Sequence, residues 1–173
     1  MKTAGAKKPL LAKPGHRSFF LPENTIRWRP LWPVSAVQII LNVDEYNLEK
    51  RLEDGSLPWV FDISRGPDRR RAERRVLAWC VWEYLGQRAE GISPTAKLKF
   101  ERVVDLILGH NRDTVRSAEL GRCLHCQRKH IHELTQAKQL EVVAERLPRR
   151  GPASSPRITR QSITAFLERR RMT

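Results

Sequence analysis

The chain repeats itself, and this constrains its fold more than any other feature. Leu120, Cys123 and Leu124 stand 83 positions after Val37, Ile40 and Leu41. Cys126, Gln127, Ile131 and Leu140 stand 83 after Val43, Asp44, Leu48 and Leu57. Near the end, Ile163, Phe166 and Leu167 stand 82 after Val81, Tyr84 and Leu85. Apolar residues three and four apart mark the inward face of a helix. The shared register is therefore a register of buried positions, kept over about fifty residues with a one-residue slip. Two copies make an internal duplication rather than a solenoid.

Each copy reads as helix, tight turn, helix, short hairpin, helix. In the first, Val34, Val37, Ile40 and Leu41 share a helical face. Asp44 is placed to cap the next helix, and Gly55 to end it. Leu57–Ile63 reads as a short strand and Ser64–Asp68 as a turn; a helix is expected from Arg69 to about Leu85. In the second copy a strand over Leu140–Leu147 and a loop over Pro148–Pro156 lead to the last helix. Residues 1–25 are rich in Lys, Pro and Gly without apolar periodicity and read as a flexible basic arm. The expected layout is the arm, a first domain over 26–91, a connecting helix over 92–110 and a second domain over 111–173. The expected class is mainly α, with short β-hairpins. The connecting helix, with Ala96, Phe100, Val103, Val104, Ile107 and Leu108 on one face, suggests either packing on a domain or a homodimer through residues 95–109.

Charge narrows the function. The chain has 33 Lys and Arg against 19 Asp and Glu, a net of +14. Residues 1–30 hold seven basic residues and one acidic, 31–91 nine and ten, and 92–173 seventeen and eight. The excess lies in the arm and in the second half. Such an excess favours a polyanion. No apolar run approaches a membrane span of about 18 residues. The start has no signal-like apolar stretch, and no lipidation motif is present. The expectation is a cytoplasmic, nucleoid-associated protein with no membrane partner. Three cysteines argue against a disulfide scaffold. No Walker A loop, GxGxxG, HExxH or nucleophile elbow occurs. Neither an enzyme nor a cofactor is expected.

The informative segment runs from Ser117 to Leu134. Two short helices with a tight turn between them form a helix-turn-helix, whose second helix enters the major groove. Leu120, Leu124, Cys126, Ile131 and Leu134 lock the pair. Gln127 opens the second helix, and Arg128, Lys129, His132, Glu133 and Gln136 are left on its free face. With the hairpin and last helix that follow, the segment resembles the winged helix-turn-helix of the excisionase and MerR-like family. Two departures are Lys138, where that family usually has Gly, and Gln127, where it has a Ser-like cap. The first copy matches over Leu41–Ile63 and less well in its wing. The resemblance implies tandem winged domains that bind double-stranded DNA without catalysis, as a transcription regulator or a recombination accessory factor of a mobile element. Arg128 and Lys129 suit guanine edges or phosphates. Arg149, Arg150 and Arg157 on the second wing, and Arg65, Arg69, Arg70 and Arg71 on the first, suit the flanking backbone.

Three other readings compete. The first copy's second helix shows Glu45, Tyr46, Glu49, Lys50 and Glu53 on its free face, and carboxylates repel phosphate. That copy suits its wing alone on DNA, or a protein contact such as a recombinase or replication protein. Cys123, Cys126, His130 and His132 make a candidate zinc set, although the spacing is tight and both cysteines occupy core positions of the repeat. Trp28, Trp32, Trp59, Trp79 and Trp82, beside Arg27 and Arg29, suit core packing or stacking on single-stranded DNA or RNA.

Overall fold

In the computed structural model of the protein, residues 23–65, 73–86, 94–143 and 156–172 are described. Arg69, Arg70 and Arg71 of the first wing and Arg149 and Arg150 of the second lie outside these residues, as does the arm up to residue 22. The described part is mixed α/β, with eight α-helices and two small antiparallel sheets.

The duplication is visible element by element. After α1 (Glu23–Trp28), the first unit runs β1 (Leu31–Pro33), α2 (Val34–Leu41), α3 (Glu45–Glu53), β2 (Val60–Asp62), β3 (Arg74–Leu77) and α4 (Ala78–Tyr84). After α5 (Phe100–Leu108), the second runs β4 (Thr114–Arg116), α6 (Ser117–Cys123), α7 (Arg128–Gln136), β5 (Val142–Val143), β6 (Arg157–Thr159) and α8 (Arg160–Arg169). The match extends to single backbone angles. Asn42 and His125 are both left-handed, with φ of 51° and 50°. Each reverses the chain between two helices: the Val43 N–H then reaches the Gln38 carbonyl at 3.1 Å, and the Cys126 N–H reaches Gly121 at 2.8 Å. In the second unit a Cβ on Gly121 would sit 3.1 Å from the Cys126 carbonyl, so glycine permits the closer approach. The slip falls between Leu57 and Val60, just before the hairpin, where a shorter connection alters no buried helix position.

Asp44 caps α3 as expected: its carboxylate accepts the Asn47 N–H at 2.7 Å. Gln127 stands at the corresponding position before α7 and makes no such bond. Gly55 ends α3 with φ 75°, and Lys138 takes the same role after α7 with φ 55°.

Four expectations change. The arm ends earlier than residue 25, because α1 begins at Glu23. The helix expected from Arg69 is instead strand β3 over Arg74–Leu77, followed by α4. β3 is the middle strand between β1 and β2. Two ladders of hydrogen bonds outweigh the helical pattern of so short an apolar run. The connecting helix is shorter than 92–110. Thr95–Lys97 is a 3-10 turn held by Glu83, which accepts the Thr95 N–H and hydroxyl, each at 2.7 Å, and α5 starts only at Phe100. Finally, Val103, Val104, Ile107 and Leu108 are buried within the chain. Arg160 reinforces that packing, pairing with Asp105 and donating to the Gly109 carbonyl at 2.8 Å. The C-terminal part of the face proposed for a homodimer through 95–109 is thus covered by the protein itself, while Ala96 at its start is exposed.

The units share one core, with buried residues running from Ile26 to Leu167. β7 (Arg171–Met172), from the extreme C-terminus, adds to the first unit's sheet beside β2, giving the order β1-β3-β2-β7. The second sheet is β4-β6-β5. Among the described residues no helix is long and apolar enough to cross a membrane.

Lys138 holds a conformation that costs a residue with a Cβ about 1 kcal/mol. Lys138→Gly is expected to raise stability by about that amount in urea unfolding, as Gly55 already does for the first unit. An unchanged or lower midpoint would contradict this.

Candidate nucleic-acid interface

Helix α7 has two faces with different fates. Ile131 and Leu134 are buried against the core, and His130 with them. Gln127, Arg128, Lys129, His132 and Gln136 are exposed. Arg128, His132 and Gln136 follow at four-residue spacing and so line one stripe, with Lys129 beside it. Of the residues expected on this free face, Glu133 alone is diverted, forming an ion pair with Arg65. The stripe is therefore polar and cationic.

What lies against the rest of α7 is the first unit's hairpin. The Nε2–H of His130 donates to the Ile63 carbonyl at 2.7 Å, and its Nδ1 lies 3.6 Å from Glu73. A carbonyl only accepts, so Nε2 carries the proton. Gln139 donates to the Arg65 carbonyl at 2.6 Å. Arg75, 8% exposed, donates to the carbonyls of Leu124 at 3.0 Å and His125 at 3.2 Å, in the turn before α7. Arg65, expected on DNA, thus has a first task between the units. Arg157 lies on β6 and donates to the Thr114 hydroxyl at 3.3 Å. It is the repeat partner of Arg75, which crosses to the other unit.

The first unit presents a different helix. Glu49 on α3 is gripped by both terminal nitrogens of Arg74. Glu45, Tyr46, Lys50 and Glu53 are exposed. Arg51 stacks over Tyr84, 4.9 Å from its ring centroid.

The zinc set does not assemble. Cys123 is buried, and His130 is turned to Ile63 while His132 is exposed. Among the described residues no three His, Cys, Asp or Glu side chains group as metal ligands. Burial pushes the Cys123 thiol up to about 11 and the Cys126 thiol up to about 12, with Arg122 and Arg75 respectively opposing the shift. The tryptophans divide. Trp32, Trp59, Trp79 and Trp82 are core, with Trp79 and Trp82 edge to face. Trp28 is 57% exposed and carries Arg122 3.7 Å above its ring.

Sequence reading missed the residues that join the units. Arg75 and His130 were legible only as an arginine in an expected helix and a recognition-helix histidine, since nothing local announces a partner 50 or 67 residues away. No protein-family model, curated protein or solved structure matches the chain.

With such pKa values, thiolate is scarce at pH 8, a fraction of about 0.001 or less. Alkylation of Cys123 and Cys126 by iodoacetamide at pH 8 is expected to be at least about 100-fold slower in native protein than in urea. Equal rates would contradict the burial of Cys123 and the half-buried placement of Cys126.

Proposed function

We propose that the chain is a double-stranded DNA-binding protein whose second unit acts as a winged helix-turn-helix. In this reading α6 supports and α7 enters the major groove. The observation that carries it is the stripe of Arg128, Lys129, His132 and Gln136, exposed along the face of α7 that no element among the described residues covers. Arginine and lysine donate to guanine edges, and glutamine reads adenine. The net charge of +14 supplies attraction to the backbone. Residues 149–150 and 69–71 add wing cations for phosphate contacts.

The first unit then serves as a brace rather than a second reader. Its helix α3 offers Glu45 and Glu53 where a reading helix needs donors, and Glu49 is already neutralised by Arg74. The protected site is accordingly one major groove with flanking backbone. A role as transcription regulator or as excisionase-like factor in recombination fits such a reader, acting in the cytoplasm at the nucleoid. No catalytic step is assigned to it.

Selection from a random duplex library, read against a salt series, tests the proposal. One enriched motif is expected. Arg128→Ala with Lys129→Ala should weaken binding to it about 100-fold, since each base contact contributes roughly 1–3 kcal/mol. Glu45→Ala and Glu53→Ala should leave affinity unchanged or slightly higher. Absence of any motif, with only a steep salt slope, would reduce the interaction to backbone attraction and overturn the reading.

A further inference from the structure

A cleft of about 660 Å³ lies where the two units meet, beside the N-terminal end of α7. Its lining includes Arg29, Arg65, Arg75, Arg122 and Lys129 against the carboxylates Glu73 and Glu133. Both carboxylates are engaged, Glu133 by Arg65 and Glu73 by Arg75 at 3.3 Å. Arg29 and Lys129 have no ion pair among the described residues. Arg122 stands 3.5 Å from Glu119, which is bound more closely by Arg112.

Three polar groups of the lining residues are buried without a hydrogen-bond partner among the described residues: the Nε of Arg122, the Nδ1 of His125 and the Oε2 of Glu133, the last of which is ion-paired with Arg65. Buried polar groups are rarely left so, and in a site roomy enough for a ligand they point to one. His125 feels the local field. Burial, then the charges of Arg29 and Arg75, lower its pKa, while a hydrogen bond to the Leu31 backbone opposes them.

We propose that this cleft is a binding site for a phosphate group. Arg29 reaches it from the segment after α1, Arg122 from α6, His125 from the interhelical turn and Lys129 from α7. Arg29, Arg122 and Lys129 donate from three segments, and an anion among them favours the protonated His125 ring, whose Nδ1 then donates as well; such a set suits a tetrahedral anion with several acceptor oxygens better than a planar carboxylate. The stack of Arg122 on Trp28 holds one donor in place. The group belongs either to the backbone of a bound duplex or to a separate phosphorylated ligand. The site does not depend on α7 reading DNA bases.

The test is calorimetric titration of the full chain with inorganic phosphate, at ionic strength held constant with chloride. Saturable binding is expected, and Arg29→Gln and His125→Asn should each weaken it about tenfold. Arg29 is exposed at the rim, and Asn tolerates the left-handed backbone at His125, so both variants should keep the wild-type circular dichroism. Titration with a short duplex separates the sources. If phosphate competes with duplex, and Arg29→Gln weakens both alike, the group is a backbone phosphate. If phosphate binds alongside duplex, and Arg29→Gln spares duplex affinity, it comes from a separate ligand. Saturable phosphate binding by a protein that fails to bind duplex would sink the DNA reading and leave the site standing. No saturation in the wild type, or phosphate affinity unchanged in both variants, would overturn the site.

Discussion

The buried guanidinium of Arg75 holds the arrangement together. It leaves strand β3 of the first unit and donates to two carbonyls in the interhelical turn of the second. Those carbonyls belong to Leu124 and to left-handed His125, where the chain cannot satisfy them by continuing a helix. Burial pulls the Arg75 pKa below its usual value and Glu73 partly restores it. An arginine so placed stays charged, so its bonds to carbonyl oxygen are the strong, charge-assisted kind. Removing it would leave two backbone acceptors unpaired, each costing about 1–3 kcal/mol.

From this contact follows the division of labour between two copies of one unit. The hairpin of the first covers one side of α7 through His130, Gln139 and Glu133. The last strand of the second returns to complete the first unit's sheet. The units clasp each other reciprocally. Among the described residues one side of α7 remains open, and it is the cationic one. On α3 the equivalent position of His132 is Glu49, held by Arg74 of its own hairpin. The two units are similar scaffolds that differ in a few charged positions: Glu49 on α3 is tied to Arg74, whereas His132 on α7 is exposed.

Much of this was legible from residues that act locally. The helix pairs, the Asp44 cap, the Gly55 stop and the 83-residue register depend on contacts within a turn or two, and they appear as read. Lys138 kept the left-handed angle despite its side chain, because the neighbouring packing dictates the turn. Strand β3 was read as helix because Val76 and Leu77 sit in an apolar run whose period is ambiguous until β1 and β2 flank it. The face of α5 looked available for a dimer because a sequence shows that a face is apolar, not which surface covers it. For the candidate interface, the exposed stripe on α7 was foreseen, whereas the roles of Arg65 and His130 between units were not. Those depend on how two domains dock, which no local pattern encodes.

Arg75 joins the two units into one body. All five tryptophans lie between residues 28 and 82, and the buried pair Trp79 and Trp82 sits in the first unit's core, so tryptophan fluorescence reports chiefly the first unit, while hydrogen exchange at the α7 amides reports the second. Urea unfolding followed by both should give coincident transitions in the wild type. In Arg75→Met the α7 amides should lose about 3 kcal/mol of protection and open before the tryptophans respond. Protection of α7 that is the same in both proteins, or two separate transitions already in the wild type, would contradict the account.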